Sequence, residues 1–199
     1  MEGRGKKYDV TVVGAGPGGT VAARKLAEDG FKVALLDKEA FPRFKACGGM
    51  LSLKTMRELG LEAGHKLSER VIFGLRLTGR SGKSVGKRMP YPVGIIVKRE
   101  FFDQFLIEEA VGKGVDFYPL TSPLSLENEG SRLKLTTNKG IFYTDKLIGA
   151  DGVFSIIAKL AGIRKSYSKL ELGFTVSTNV PGEVLPEDKE VADLYCIPF

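Results

Sequence analysis

Apolar and polar positions over the first forty residues alternate between two short apolar runs and one helical stretch. Tyr8 to Val13 reads as a buried strand, Gly14 to Gly19 as a tight turn, Pro17 to Asp29 as a helix and Lys32 to Asp37 as a second strand. The chain thus opens on a βαβ unit. From Lys38 to Gly49 the pattern is irregular, with Pro42, Gly48 and Gly49, and Leu51 to Leu59 then predicts a short helix ended by Gly60.

Between Glu69 and Val97 the pattern becomes β-rich. Val71 to Leu77 and Val93 to Val97 read as strands, with turn residues around Gly79 to Gly86. Arg99 to Val111 returns to helical period, placing Phe102, Phe105, Leu106 and Ala110 on one face. Val115 to Tyr118 predicts a strand, followed by a meander of short segments at Leu124 to Leu126, Leu133 to Thr136 and Ile141 to Tyr143. Lys146 to Ile148 is a further strand, and Val153, Ile156, Ile157, Leu160 and Ala161 form a helix face ended by Gly162. Glu171 to Val180 is strand-like, and Val191 to Phe199 is a last apolar stretch. The organisation is a nucleotide-binding α/β layer interrupted by β-rich insertions, with a second layer beginning near the end of the chain.

Composition adds limits to this picture. The 199 residues are 43% hydrophobic and 27% charged, which excludes disordered, collagenous and disulfide-scaffold classes. The net charge of +6 favours anionic partners and is also what an ordinary solvated surface carries. Cys47 and Cys196 lie far apart with no metal-ligand spacing, so no metal site and a reducing compartment are expected. The basic N-terminus imitates a secretory signal, but Asp9 and the glycines from Gly14 break its apolar part. The expected location is cytoplasmic, at most peripheral on a membrane. No nucleic-acid partner is expected.

Gly14-Ala15-Gly16-Pro17-Gly18-Gly19, between a strand and a helix, carries the strongest chemical signal. Gly14 permits the turn, Gly16 lets a pyrophosphate approach the backbone, and Gly19 lets the helix pack close to the strand. Free amides of the first helical turn then face the phosphates, an attraction the macrodipole reinforces. Asp37 closes the second strand, where an acid accepts hydrogen bonds from an adenosine ribose. Together these features predict a dinucleotide site, without deciding between FAD and NAD.

A second strand-turn-helix, Lys146 to Ser155, contains Gly149-Ala150-Asp151-Gly152. Asp151 could cap its helix. Combined with the first motif and the intervening β insertion, however, this segment resembles the two-fingerprint flavoproteins of the glutathione reductase and hydroxybenzoate hydroxylase type, in which this Asp lies near the cofactor's pyrophosphate and ribose. Phe41-Pro42-Arg43-Phe44-Lys45-Ala46-Cys47-Gly48-Gly49 and Val97 to Asp103 narrow the resemblance to the geranylgeranyl reductase family of FAD enzymes, over nearly the whole chain up to about Ser168.

That resemblance implies a Rossmann-like FAD-binding domain with β-rich insertions and the beginning of a β-sheet substrate domain. Residues 1–68 would hold the βαβ unit and the Cys-Gly-Gly loop, 69–98 a β-rich insertion, 99–168 the FAD-binding domain continued, and 169–199 the start of the substrate sheet. It implies catalytic positions by the isoalloxazine ring at Cys47, Gly48 and Gly49. Gly14, Gly16, Pro17, Gly18, Gly19, Asp37, Lys38, Asp151 and Gly152 would bind FAD. Arg43 would lie near its phosphates and Arg99 near the ribityl or adenosine end. Read from the residues alone, Cys47 is as well explained as a small buried hydrophobe, Arg43 and Arg99 as solvated charges, and His65 as a polar-loop residue.

The implied reaction is reduction of isoprenoid C=C bonds, with an electron donor, NAD(P)H or ferredoxin, that the sequence does not identify. A flavin monooxygenase of the same fold group is the first alternative, opposed by the Cys-Gly-Gly block. A non-catalytic FAD-binding fragment is the second. By that resemblance, full-length members continue through a β-sheet substrate domain and return to the nucleotide domain with a third fingerprint, typically Gly-Asp-Ala, and no Gly-Asp pair occurs in this sequence. The expectation is therefore about half of an enzyme's architecture, holding FAD weakly, with a second chain as one way to supply the remainder. Lys83, Lys87, Arg88, Lys98, Arg164, Lys165 and Lys169 would suit an acidic membrane surface, although such charges more often form only a solvated face.

Overall fold

A computed structural model describes residues 5–164, 166–167, 171–173, 175–178 and 188–195. The chain divides into two compact units. The first contains the chain up to Arg43 and continues from Asp103; the second contains Phe44–Phe102 and the C-terminal residues from Thr175.

The first unit is built on a six-stranded sheet. Its strands are β1 (Lys6–Val13), β2 (Val33–Leu36), β8 (Asp116–Tyr118), β9 (Pro123–Asn128), β10 (Leu133–Thr137) and β11 (Gly140–Gly149), in the order β8-β2-β1-β11-β10-β9. β8, β2, β1 and β11 run parallel, and β11, β10 and β9 form an antiparallel meander. The continuous apolar runs of β1 and β2 follow from burial on both faces, the usual condition of central parallel strands. Val33 and Leu35 enter one core with Val10, Val12 and Ala23, while Ala34 and Leu36 enter another with Val13, Leu135 and Phe142. That is the two-residue period of a strand.

Helices α1 (Pro17–Glu28) and α3 (Arg99–Gly112) supply the first core with Ala23, Ile107 and Ala110. Pro17 occupies the first turn of α1, where a missing N–H costs nothing. On α3, Phe102, Leu106 and Ala110 are buried as expected, Phe105 is half-buried, and Ile107 completes the face.

The second unit carries two three-stranded sheets. One has the order β3 (Met50–Ser52), β7 (Gly94–Ile96), β4 (Arg70–Ile72); the other has β12 (Val191–Tyr195), β5 (Gly74–Thr78), β6 (Ser84–Arg88). Helix α2 (Leu53–Leu59) follows β3 directly.

The α/β architecture matches the sequence reading, and several boundaries differ. Leu51 and Ser52 belong to β3, because the Ser52 hydroxyl accepts from the Thr55 amide and so starts α2 at Leu53. Ser84 to Arg88 is a strand and not a turn, held by pairing with β5 although every one of its residues is exposed. Ile141 to Ile148 is one continuous strand, since β11 bonds to β10 and β1 together. Helix α4 is only Ile156–Leu160, its start set by Ser155 and Asp151, so Val153 lies outside it. Residues 171–173 and 175–178 are not strand; residues 174, 179–180 and 196–199 lie outside the described residues.

Candidate functional site

The two glycine-containing turns of the first unit stand side by side at the carboxyl ends of β1 and β11. The Gly14 amide donates to the Leu36 carbonyl at 2.7 Å and the Ala150 amide to the Val13 carbonyl at 2.7 Å, tying both turns to the sheet. Gly14 has φ +106°, and a β-carbon there would lie 2.3 Å from the Ala150 oxygen. Around Gly16 and Gly18, by contrast, a β-carbon would meet nothing within 4 Å. Gly14 serves packing, and Gly16 and Gly18 leave a cradle.

The start of α1 is prepared for an anion. Gly16 as N-cap offers no side-chain hydrogen bond, and no acid stands in the first turn. The Thr20 amide donates to the Gly16 carbonyl at 3.0 Å, so helix geometry leaves the Gly18 and Gly19 amides without an intrahelical acceptor. Backbone donors and helix dipole point at one open space, which fits the pyrophosphate of a dinucleotide.

Asp37 is buried beneath this loop. Its Oδ2 accepts from the Ala15 amide at 2.7 Å and its Oδ1 from the Glu39 amide at 2.9 Å. The carboxylate therefore joins the end of β2 to the glycine turn, and each oxygen retains lone-pair capacity for a ribose hydroxyl. Lys38 beside it is exposed. Asp151 accepts from the Ser155 hydroxyl at 2.5 Å and from the Ile156 and Ile157 amides at 2.6 and 3.2 Å. It is a capping carboxylate, while Gly152 next to it is exposed with φ +88°.

Arg43 is placed by a partner the sequence reading did not name. Its Nη2 lies 3.3 Å from the Asp103 carboxylate, with the side chains 15% and 0% exposed. The guanidinium also lies over the Phe41 ring, 4.7 Å from its centroid. The signal was present: Asp103 is an acid set among Phe102, Leu106 and Ile107 on the buried side of α3.

In the second unit, Cys47 is exposed, which removes the buried-hydrophobe alternative; the Gly49 amide donates to its sulfur at 3.4 Å. Gly48 is exposed, whereas a β-carbon on Gly49 would lie 2.0 Å from the Val97 oxygen. The Val97 amide donates back to the Gly49 carbonyl at 2.9 Å, so this loop is fastened to the strand end just before α3. Arg99 opens α3 and is half-buried. His65 is half-buried in a loop, where its Nδ1 accepts from the Leu67 amide at 3.3 Å. Among the described residues no cluster is placed to hold a metal ion, and no helix is long and apolar enough to cross a membrane.

Comparison with known proteins agrees with this geometry. Residues 7–192 match the family described as FAD binding domain. An uncharacterized protein of Methanosarcina barkeri is 32% identical over 88% of this chain and 44% of its own length. The digeranylgeranylglycerophospholipid reductase of Methanocaldococcus jannaschii is 31% identical over 83% of this chain and 43% of its own. The chain spans about half the length of such relatives. A geranylgeranyl bacteriochlorophyll reductase-like protein of Thermoplasma acidophilum, 24% identical, superposes with a TM-score of 0.75 over 96% of this chain and 51% of that one.

Proposed function

The chain belongs to the FAD binding domain family, with relatives of the geranylgeranyl reductase type, and from that premise we propose that it serves an FAD-dependent reductase of isoprenoid C=C bonds. The cradle above Gly16 and Gly18, backed by Asp37, is the observation that carries the reading. The Gly18 and Gly19 amides would hold the pyrophosphate and Asp37 the adenosine ribose. Bound and reduced, FAD supplies a hydride equivalent for one carbon of an alkene, the other carbon taking a proton.

The protein's part is position and exclusion of water, because an isolated alkene is a poor hydride acceptor and must be held at near-attack distance. The exposed Cys47-Gly48 pair, on a loop fastened through Gly49, would present a close backbone surface to the flavin ring. Arg99 would meet the ribityl or adenosine end. Arg43, occupied by Asp103, would act on the phosphates through its remaining donors; its Nη1 is buried without a partner. An isoprenoid lipid is the substrate class, with peripheral membrane attachment, and NAD(P)H or ferredoxin is the donor. The N-terminal half of the relatives would act with the remaining architecture, whether on the same or a second chain.

The test is anaerobic. The FAD-loaded protein, chemically reduced and mixed with a digeranylgeranyl glycerophospholipid, should re-oxidise without oxygen as the lipid gains dihydrogen for each double bond lost. Re-oxidation only by oxygen, with a hydroxylated product, would replace this reading by a monooxygenase. A protein that binds FAD and transfers nothing would leave the FAD-binding fragment.

A further inference from the structure

The loop between β8 and β9 holds a strained backbone position. Leu120 has φ +53°, and among the described residues no other residue except glycine has a positive φ. An L side chain crowds the backbone in this conformation, which single residues other than Gly, Asn and Asp rarely adopt. It persists only where the surrounding structure over-determines it, and such positions gather at ligand sites.

What holds Leu120 also holds Asp37. The Leu120 amide donates to the Glu39 carbonyl at 3.3 Å and the Thr121 amide to the Asp37 carbonyl at 2.8 Å, while the Asp37 amide donates to the Tyr118 carbonyl at 3.1 Å. The backbone on both sides of the Asp37 side chain is therefore clasped by the end of β8 and the loop after it. Glu39, fastened by Leu120, supplies one of the two amides that the Asp37 carboxylate accepts. A shift of the loop is thus a shift of the carboxylate.

The other side of the loop is gripped by the turn between β10 and β11. Asn138 Nδ2 donates to the Leu120 carbonyl at 3.1 Å, and Asn138 Oδ1 accepts from the Ser122 amide at 2.8 Å. The Asn138 amide donates to the Ser122 carbonyl at 3.2 Å, and Lys139 Nζ to the Pro119 carbonyl at 2.8 Å. Asn138 is exposed, so water can replace each of its side-chain bonds singly. Water cannot join Leu120 to Ser122 through one planar group that the turn itself holds in place.

We propose that Asn138 is a positioning residue of the nucleotide site: through the loop of residues 119–122 it keeps Leu120 in its strained conformation and so fixes the Asp37 carboxylate for the adenosine ribose. The inference rests on the FAD reading above and adds to it a residue that touches no part of the cofactor. The test compares the full chain with Asn138→Ala by fluorescence titration with FAD. Displacement of FAD by ADP and by 2′,3′-dideoxy-ADP, which lacks the hydroxyls that would donate to Asp37, is measured on the same samples.

Asn138→Ala should weaken FAD binding about fivefold, the worth of one net hydrogen bond, and should lower the preference for ADP over the dideoxy nucleotide by a similar factor. A residue serving loop stability alone would weaken both nucleotides alike. Leu120→Gly, for which positive φ brings no crowding, should restore most of the affinity lost in Asn138→Ala. Circular dichroism confirms that the variants fold. FAD affinity that Asn138→Ala leaves intact, or an unchanged preference between the two nucleotides, overturns the proposal. So does failure of Leu120→Gly to restore affinity, because strain at Leu120 would then not be what Asn138 restrains. An unaltered chain that binds no FAD overturns the FAD reading itself, and this proposal with it.

Discussion

Gly19 lies directly against the carbonyl of Gly14: a β-carbon on Gly19 would stand 1.9 Å from that oxygen and 3.0 Å from the Ala150 β-carbon. The first helical turn, the β1 turn and the β11 turn therefore meet at a point where only hydrogen fits. Gly19→Ala should destabilise the protein at or beyond the ~3 kcal/mol upper range of overpacking, read as a lowered urea midpoint. Gly18→Ala meets nothing within 4 Å and should leave that midpoint unchanged or slightly raised. Its methyl group would instead enter the pyrophosphate cradle, weakening FAD binding roughly tenfold, the equivalent of one charge-assisted hydrogen bond. Fluorescence titration and urea melts on both variants separate the packing glycine from the ligand glycine.

Asp37 makes a second separable prediction. Its carboxylate satisfies the buried Ala15 amide at 2.7 Å, so Asp37→Ala strands a donor and should cost about 1–3 kcal/mol in the protein without cofactor. A side chain serving only a ribose would leave that stability unchanged. Denaturant melts of the FAD-free protein decide between the two.

The βαβ unit was legible because three short-range signals agree there: buried strand runs, a glycine turn and an acid at the end of β2. The turn role of Gly14 and the packing role of Gly19 could be assigned for the same reason, since the turn is a local structure. Asp37's bond to Ala15 was not legible, because it joins residues 22 positions apart in the chain. β6 escaped for a different reason. Its residues are all exposed and include Gly86, so no apolar alternation marks it, and its pairing with β5 alone makes it a strand. Asp151 shows the limit from the other side: its bonds to Ser155, Ile156 and Ile157 are those of a cap, the alternative the sequence left open.

The Arg43–Asp103 pair predicts a stability effect where a purely phosphate-binding arginine would give none. Asp103 is fully buried, so Arg43→Ala leaves a carboxylate in the interior short of its cation, a loss of about 3–5 kcal/mol for a broken buried pair. Arg43→Met with Asp103→Leu removes both charges and should recover most of that loss. A double-mutant cycle by thermal or urea unfolding measures the coupling. Additive single losses would show that the pair is not coupled.

Tyr8, Tyr118 and Asp116 predict an alkaline limit to stability. The Tyr8 hydroxyl donates to Asp116 at 2.7 Å and lies 2.5 Å from the Tyr118 hydroxyl; with its proton committed to the carboxylate, it accepts from Tyr118. Burial first, then the bonds to Tyr118 and Asp116, push the Tyr8 phenol above its ordinary value of 10.0. The folded state therefore holds this proton more tightly than the unfolded chain does. The resulting stability is fully present below about pH 10 and is lost as pH rises above it toward the folded value. Tyr8→Phe should cost about 0.5–1.5 kcal/mol near neutrality for the lost hydrogen bonding, and should flatten the decline above pH 10. Urea midpoints of both proteins from neutral to strongly alkaline pH give the comparison. Parallel declines would assign the alkaline loss to other groups.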